Sequence, residues 1–560
     1  MKWLLKNKPP DDTVNQLVER YGFHHVTARL LIQRNITTPE AIEAFFKPSI
    51  SHLHNPFLMK DMDKAVERIE KALAKNERIL IYGDYDVDGT TAVSLVYAFF
   101  KTITENISTY IPDRYTEGYG ISFQGIDYAD DNGFTLIIAL DCGIKSIDKV
   151  NYAHEKNIDF IICDHHTPGE ELPKAVAVLD PKRLDCEYPY KELCGCGVGF
   201  KLIQALTQKK GERVETLIPY LDLVATAIAA DIVPMTGENR VLTKLGLEVI
   251  NSFPRNGIKA MIQNLNKKSL NIRDVVFVIA PRINAAGRIK HGNYAVKLLT
   301  EFELEQATQF AKEIELFNQE RKGLDQQITL EALLQIEENK EQERFSTVVY
   351  QEDWHKGVIG IVASRLIETY YRPTLVFTGK SDIIAASARS IKTFDLYEAL
   401  EKCEDTLIQF GGHKYAAGLT LKKENLSLFK EKFELVVSQK LTKVDLEPTL
   451  DVDLVINFKE IDKKLIQEIN QFEPFGPDNM TPVFASENLK DTGYGKTIGK
   501  NNEHLKLFIK QNHSEGIGAI GFGLGNKLSI TKNTFWGVYT LEENEYNGKV
   551  TLQLNLRDLK

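Results

Sequence analysis

Between residues 78 and 180 four short runs are apolar at nearly every position: 78–82, 135–140, 158–163 and 175–179. Runs of that length without polar alternation predict strands buried on both faces. Helix-forming stretches lie between them, so the pattern is that of a doubly wound parallel sheet with right-handed crossovers. Each run stops at a polar cluster: Gly83-Asp84-Tyr85-Asp86-Val87-Asp88-Gly89, then Asp141-Cys142-Gly143, Asp164-His165-His166 and Asp180-Pro181. Ligands of such sheets sit beyond the carboxyl ends of the strands. The pattern therefore predicts that Asp86, Asp88, Asp141, Asp164, His165 and His166 gather along one edge.

The remaining chain divides by the same criterion. Residues 1–50 carry short amphipathic helical pieces, with Thr38-Pro39 as an N-cap followed by proline at the first helical position, and they predict an arm packed on the next domain. Residues 61–75 and 92–101 read as helices, and 221–231 as an apolar helix closed by Asp231. That carboxylate is open to two readings, a metal ligand or a cap of the following turn, and Asp222 is expected to face solvent. Cys194-Gly195-Cys196-Gly197 has no second cysteine pair, and small residues opening a helix explain it better than zinc. Residues 302–338 form a long charged stretch with an apolar stripe, expected to connect two halves.

A new αβ pattern follows, with strands at 347–350, 374–377 and 383–386. After about residue 447 short strands dominate, predicting a small oligonucleotide-binding (OB) barrel. There Phe522, Phe535, Trp536 and Tyr539 suit either base stacking or the barrel core. The fold class is thus α/β: a doubly wound domain (51–245), a helical connector (246–340), a smaller α/β domain (341–440) and an OB-like barrel (441–560).

Length and composition add limits. A chain of 560 residues exceeds one core, and 43% hydrophobic with 26% charged residues is a soluble globular composition. No apolar run reaches the roughly 18 residues that span a bilayer, and lysines interrupt the start, so no membrane association and a cytoplasmic location are expected. Six cysteines suit reduced thiols. The net charge of −9 does not advertise a nucleic-acid partner, but bound cations would invert the field at an acidic site.

The strand–loop–helix at 78–101 has the shape of a phosphate cradle, yet the loop lacks a Walker lysine and carries three carboxylates at alternate positions. Hard divalent ions reconcile the two. Arg282, Asn284 and Arg288 stand among small residues in Pro281-Arg282-Ile283-Asn284-Ala285-Ala286-Gly287-Arg288, where guanidinium forks suit phosphate. Gly411-Gly412-His413 places main-chain N–H groups beside an imidazole.

Taken together, the motifs ending in Asp88, Asp141, His166 and Asp231, followed by Gly411-Gly412-His413, resemble the DHH phosphoesterase superfamily with its DHHA1 partner domain. Within it, the segments 111–120 and 281–288 are similar to the RecJ single-stranded-DNA exonucleases. The resemblance runs from about residue 50 to the C-terminus. It implies hydrolysis of single-stranded DNA from the 5′ end, dependent on two divalent cations, Mn²⁺ or Mg²⁺, releasing mononucleotides in repair and recombination. By motif, Asp86 and Asp141 would hold one metal and Asp88, Asp141, His165 and Asp231 the other. His166, oriented with Asp164, would neighbour the scissile phosphate. Arg282, Ser387, Arg389 and His413, with Asn284, Arg288, Gly411 and Gly412, would hold the strand's phosphates, and Arg114 and Tyr119 would position it.

One departure is Tyr82, which stands where many relatives carry a histidine, leaving Asp84 or water to complete the first metal shell. The resemblance also implies a monomer working with a single-strand-binding protein and a RecQ-type helicase. Two rivals remain: a phosphodiesterase for short oligonucleotides or cyclic dinucleotides, and a non-catalytic DNA-binding scaffold.

Overall fold

The computed structural model describes residues 1–546 and 548–560, and these divide into two compact units. The larger comprises Trp3–Ala280, Val296–Ala307 and Leu450–Lys560, the smaller Met1–Lys2, Pro281–Ala295 and Thr308–Thr449.

In the larger unit the apolar runs form parallel strands β1 (Ile79–Gly83), β3 (Leu136–Leu140), β4 (Asp159–Cys163) and β5 (Ala177–Leu179). A fifth strand, β2 (Ile107–Tyr110), was not expected from the pattern; it lies at one edge, giving the order β2-β1-β3-β4-β5. Only one of its four residues, Ile107, is buried, so it lacks the continuous apolar run of the central strands. Helices cover both faces. Leu80, Tyr82, Ile137, Ala139, Phe160 and Ile162 pack on helices Phe123–Asp131 and Ile147–Glu155. On the opposite face Gly199 of helix Gly195–Lys209 fits against Leu140 and Val96. The helix after β1 begins earlier than its apolar residues suggest, at Val87, because the Asp86 carboxylate accepts the Gly89 N–H at 2.9 Å and caps it.

The residues after about 450 form a seven-stranded sheet whose Phe484–Asp491 strand also pairs with His504–Gln511, closing a ring. Phe535 and Tyr539 fill its core, whereas Phe522 and Trp536 are exposed. The N-terminal arm contacts the parallel-sheet domain, where Arg240 lies over the Phe45 ring at 3.9 Å, and it also packs on this barrel, more than 400 residues away in sequence. Val26, Leu30, Leu31 and Phe45 share a core with Phe472, Phe484, Leu505 and Tyr539, and Phe45 meets Phe472 edge to face at 5.0 Å. A correction concerns Asp222, which is fully buried and bound by the Arg255 guanidinium at 2.8 Å. A carboxylate on an otherwise buried helix face persists there because the fork pairs with it.

The smaller unit holds a five-stranded sheet. Its strands are β6 (Thr347–Tyr350), β7 (Thr374–Thr378), β8 (Ile383–Arg389), β9 (Gln409–His413) and β10 (Ala416–Lys422), in the order β9-β10-β8-β7-β6. The Gly411-Gly412-His413 motif therefore lies on one arm of a hairpin. The expected connector is a single helix, Leu304–Glu338, and Ile328, Ala332 and Ile336 on its later turns pack against Val358, Val362 and Leu366. Those turns belong to the smaller unit's core.

Because Phe472 is fully buried where arm and barrel meet, Phe472→Ala should lower stability by about 3–5 kcal/mol in chemical denaturation.

Candidate metal centre

The parallel register brings the strand ends together. Asp141 follows β3 and Asp164-His165-His166 follows β4, one strand over. Asp88 lies in the first turn of the helix after β1, and Asp231 ends helix Leu221–Asp231. The His165 Nε2 stands 3.2 Å from Asp141, 3.6 Å from Asp231 and 3.8 Å from Asp88. Two overlapping ligand sets result, Asp141-His165-His166 and Asp88-His165-Asp231, with ligating atoms in each within 4.8 Å of one another. Asp141 Oδ1 and His165 Nε2 are buried without a hydrogen-bond partner. Such atoms are costly to leave unmatched, and oxygen and imidazole donors on a negative site suit a hard or borderline divalent ion.

Titration behaviour supports that fit. Burial, reinforced by the charge of Asp86, raises the Asp88 carboxyl to about 7. Burial and the charges of Asp88 and Asp86 raise Asp231 to about 8, and the same causes push Asp141 well up. Asp231 also sits at a helix C-terminus, where the carbonyl dipoles oppose a carboxylate and favour a cation. Burial lowers His165 to about 3, so its imidazole is neutral at ordinary pH and its lone pair is available.

Asp164 has a different task. It accepts N–H groups of Ile144 at 2.9 Å, His165 at 2.8 Å and His166 at 3.2 Å, and its Oδ1 lies 2.7 Å from His166 Nδ1. Against the effect of burial, the His166 bond and these amides lower Asp164 to about 2. His166 is correspondingly raised to about 9, the Asp164 pairing outweighing its own desolvation. Asp164 thus anchors the imidazole of His166, and Tyr119 lies edge-on to that ring at 6.4 Å. The Arg114 guanidinium stacks 3.8 Å above Tyr85, whose ring also meets Tyr119.

Tyr82 is occupied elsewhere, its hydroxyl donating to the Gly120 carbonyl at 3.0 Å and accepting from Ser122 N–H. Asp84 is fully buried, accepts the Gly120 N–H at 3.3 Å and keeps Oδ2 without a partner.

Sequence reasoning missed what holds the ligands. Asp88 accepts the N–H groups of Gly195 and Cys196, each at 2.7 Å, at the start of helix Gly195–Lys209. A Cβ on Gly195 would lie 2.5 Å from the Asp141 Cβ, so only glycine lets the helix end approach. The cysteine run is thus a helix opening, and Gly195 serves both carboxylates, its N–H bonding Asp88 and its missing Cβ leaving room for Asp141. Asp141 (φ 59°) and Ile232 (φ 59°) both adopt the left-handed region, a cost of order 1–2 kcal/mol each concentrated at the site.

The smaller unit carries a second group of expected residues. His413, Ala416 and Arg389 lie in register across β9, β10 and β8, and Gly411, Gly418 and Ser387 form the next like-facing row. A Cβ on Gly411 would meet nothing within 4 Å, so this shelf is open. Arg389 donates to Ser387 Oγ at 3.1 Å and pairs with no carboxylate among the described residues; burial lowers its pKa. Gly360, in the first turn of helix Ile359–Tyr370, is the neighbour sequence reasoning passed over: its Cβ would lie 2.8 Å from Ser387 Oγ and 3.1 Å from Arg389 Nη2. A guanidinium, a hydroxyl and a helix start around open space suit a phosphate. Arg282 and Arg288 stand on helix Ala280–Ile289, Arg282 paired with Glu315 at 2.7 Å and Arg288 donating to the Gly357 carbonyl at 3.1 Å; Asn284 is half-buried between them.

Comparison with known proteins finds three domain families along the chain. Residues 78–228 match the DHH family N-terminal domain, 344–439 the DHHA1 domain and 452–558 the RecJ OB domain. The single-stranded-DNA-specific exonuclease RecJ of Bacillus subtilis is 37% identical over all of this chain and 70% of its own length. RecJ of Haemophilus influenzae is 32% identical over 95% of each chain. The crystal structure of Thermus thermophilus RecJ in complex with Mn²⁺ superposes with a TM-score of 0.87 at 24% identity, covering all of this chain and 79% of that one.

Above about pH 6.5 the metal-free protein loses stability, His166 contributing between about 6.5 and 9 and the raised carboxyls the last part of a loss that begins near pH 4 and ends near 8, since in each case the folded state keeps a proton that the unfolded chain releases more easily. Thermal melts across that range should show the decline, and added Mn²⁺ should abolish it.

Proposed function

We propose, since the chain belongs to the RecJ family of single-stranded-DNA-specific exonucleases, that it is a metal-dependent exodeoxyribonuclease removing 5′-mononucleotides from single-stranded DNA in the 5′→3′ direction. The observation that carries the reading is the set of three carboxylates within 4 Å of one neutral imidazole nitrogen. Asp88, Asp141, His165 and Asp231 hold one divalent cation, Mn²⁺ or Mg²⁺. Asp86 and Asp141 would hold a second, its shell completed by Asp84, whose Oδ2 has no hydrogen-bond partner, or by water, since Tyr82 is spent on Gly120 and Ser122.

Bound cations supply charge neutralisation at the phosphate and lower the pKa of the attacking water. The chain's own groups do the rest. Asp164 accepts from His166 Nδ1 and holds the ring as a doubly protonated imidazolium, so that the Nε2–H can donate to a non-bridging oxygen, where charge accumulates as the P–O3′ bond breaks. Asp164 positions that ring and does not touch the phosphate itself. Arg114, stacked on Tyr85, and Tyr119, beside His166, orient the strand's end.

On the smaller unit, Arg389, Ser387, Gly411, Gly412 and His413 bind a phosphate, with Gly360 at the same spot. Arg282, Asn284 and Arg288 add to the strand's binding. An OB domain is a device for extended single strands, which favours this reading over one confined to dinucleotides. The same reading places the enzyme in the cytoplasm as a monomer, on strands supplied by a RecQ-type helicase and kept open by a single-strand-binding protein.

Digestion of 5′-labelled and 3′-labelled oligonucleotides, single-stranded and duplex, tests the proposal. The full-length protein with Mn²⁺ should release labelled mononucleotide from 5′-labelled single strands at once. Asp141→Ala, folded, should lose at least about 10³-fold in rate; full activity in that variant removes the site assignment. Arg389→Ala should raise KM for the oligonucleotide by about 10-fold or more, the loss expected when a charge-assisted phosphate contact of about 1.5–3 kcal/mol disappears.

A further inference from the structure

Asp231 leaves its helix through Ile232, which is exposed and in the left-handed region, so the helix itself does not fix the direction of the ligand. The turn beyond Ile232 is tied down from elsewhere. The Pro234 carbonyl accepts from the Tyr190 hydroxyl at 3.2 Å and from Asn239 Nδ2 at 3.0 Å. The same Asn239 amide donates to the Glu192 carbonyl, three residues before the Gly195 N–H that holds Asp88. Met235, buried, donates its N–H to the Pro477 carbonyl at 2.8 Å, and its side chain rests on Gly476. Pro477 and Gly476 belong to the C-terminal barrel region.

One turn later Arg240 makes the same connection more strongly. It is buried, with no carboxylate partner among the described residues. Its guanidinium donates to five main-chain carbonyls: Phe472 at 2.7 Å, Pro474 at 3.2 Å, Gln471 and Glu473 at 3.1 Å each, and Phe45 at 3.0 and 3.1 Å. Those carbonyls close two helices, Pro39–Phe46 of the arm and Lys463–Asn470 of the barrel region. Asn479 Nδ2 donates to the carbonyls of Phe472 and Pro474 and stiffens the same loop. A planar fork with five donors fits such a cage of carbonyls, which a lysine can satisfy only in part.

We infer that Arg240 is a positioning residue for the metal centre: with Met235 it clamps the turn after Asp231 onto the loop 471–479, so that the C-terminal barrel region sets the direction of a metal ligand. The inference rests on Asp231 being a ligand. Residues that orient ligands from behind govern metal affinity without touching the ion.

Two substitutions in the full-length protein test this from opposite sides. Arg240→Lys keeps the charge and loses most of the carbonyls. Gly476→Ala places a Cβ 3.0 Å from Met235 Cβ and presses on the turn without touching Arg240. Mn²⁺ affinity by calorimetry should weaken about 10-fold in each. The maximal exonuclease rate should return at saturating Mn²⁺, with KM for the oligonucleotide unchanged, a split that a general loss of folded protein does not produce. Parent-like Mn²⁺ affinity in the folded variants, beside a weakened Asp231→Ala, overturns the inference. Parent-like affinity in Asp231→Ala removes the ligand assignment, and the inference with it. If Arg240→Lys does not fold, Gly476→Ala alone decides.

Discussion

Several carboxylates are buried around a single imidazole at one edge of a sheet, and their mutual repulsion is the condition that the rest of this structure answers. Two such charges about 4 Å apart repel by roughly 4 kcal/mol in a partly polar protein interior. Desolvation adds to this, which is why burial is the leading cause of the raised pKa of Asp88, Asp141 and Asp231. The chain cannot disperse these groups, since the parallel register delivers them to the same edge. Protonation relieves the repulsion below these raised pKa values, and a bound cation relieves it above them.

Local structure is arranged to hold the acids despite that repulsion. Asp88 lies against two N–H groups at one helix start, and Asp86 caps another, so both meet the positive ends of helices. Asp231 meets the negative end of a third, the one place where the surroundings oppose a carboxylate and reward a cation. Glycine appears where two backbones must nearly touch, at Gly195 beside Asp141 and at Gly89, whose Cβ would lie 2.5 Å from the Asp84 carbonyl. Asp164 is set apart from its neighbours by four hydrogen-bond donors, which make it the stable anion of the group and His166 its counter-ion. Two adjacent histidines thereby acquire opposite protonation behaviour from their surroundings alone.

The larger unit is stitched across long sequence separations by buried polar groups as well as by its core. Arg240 gathers carbonyls from the arm and from residues 471–474. Lys201 and Glu238, both fully buried, pair at 3.0 Å and also bind the main chain of His54 and the Tyr188 hydroxyl. Such pairs add little net stability over an apolar replacement, but removing one partner is costly. They therefore act as registration points, fixing how the arm, the parallel-sheet domain and the barrel meet.

Hydrophobic patterning alone determined four of the five parallel strands, the alternation with helices and the strand ends near which Asp88, Asp141, Asp164 and His165 appear, because strands buried on both faces cannot hide their composition. The family resemblance, carried over motif by motif, pointed to Asp231 and to the Gly411–His413 segment. Tertiary structure decided the rest. Ile107–Tyr110, only partly buried, left no apolar run to read. Asp222 and Asp231 sit on one apolar helix, and only the presence of Arg255 beside the first and His165 beside the second separates a structural ion pair from a candidate metal ligand. The contact of Gly195 with Asp141, the cage around Arg240 and the packing of the arm on the barrel join residues tens to hundreds of positions apart. Local propensity carries no information about such pairings, which are settled when the cores of separate elements close on one another.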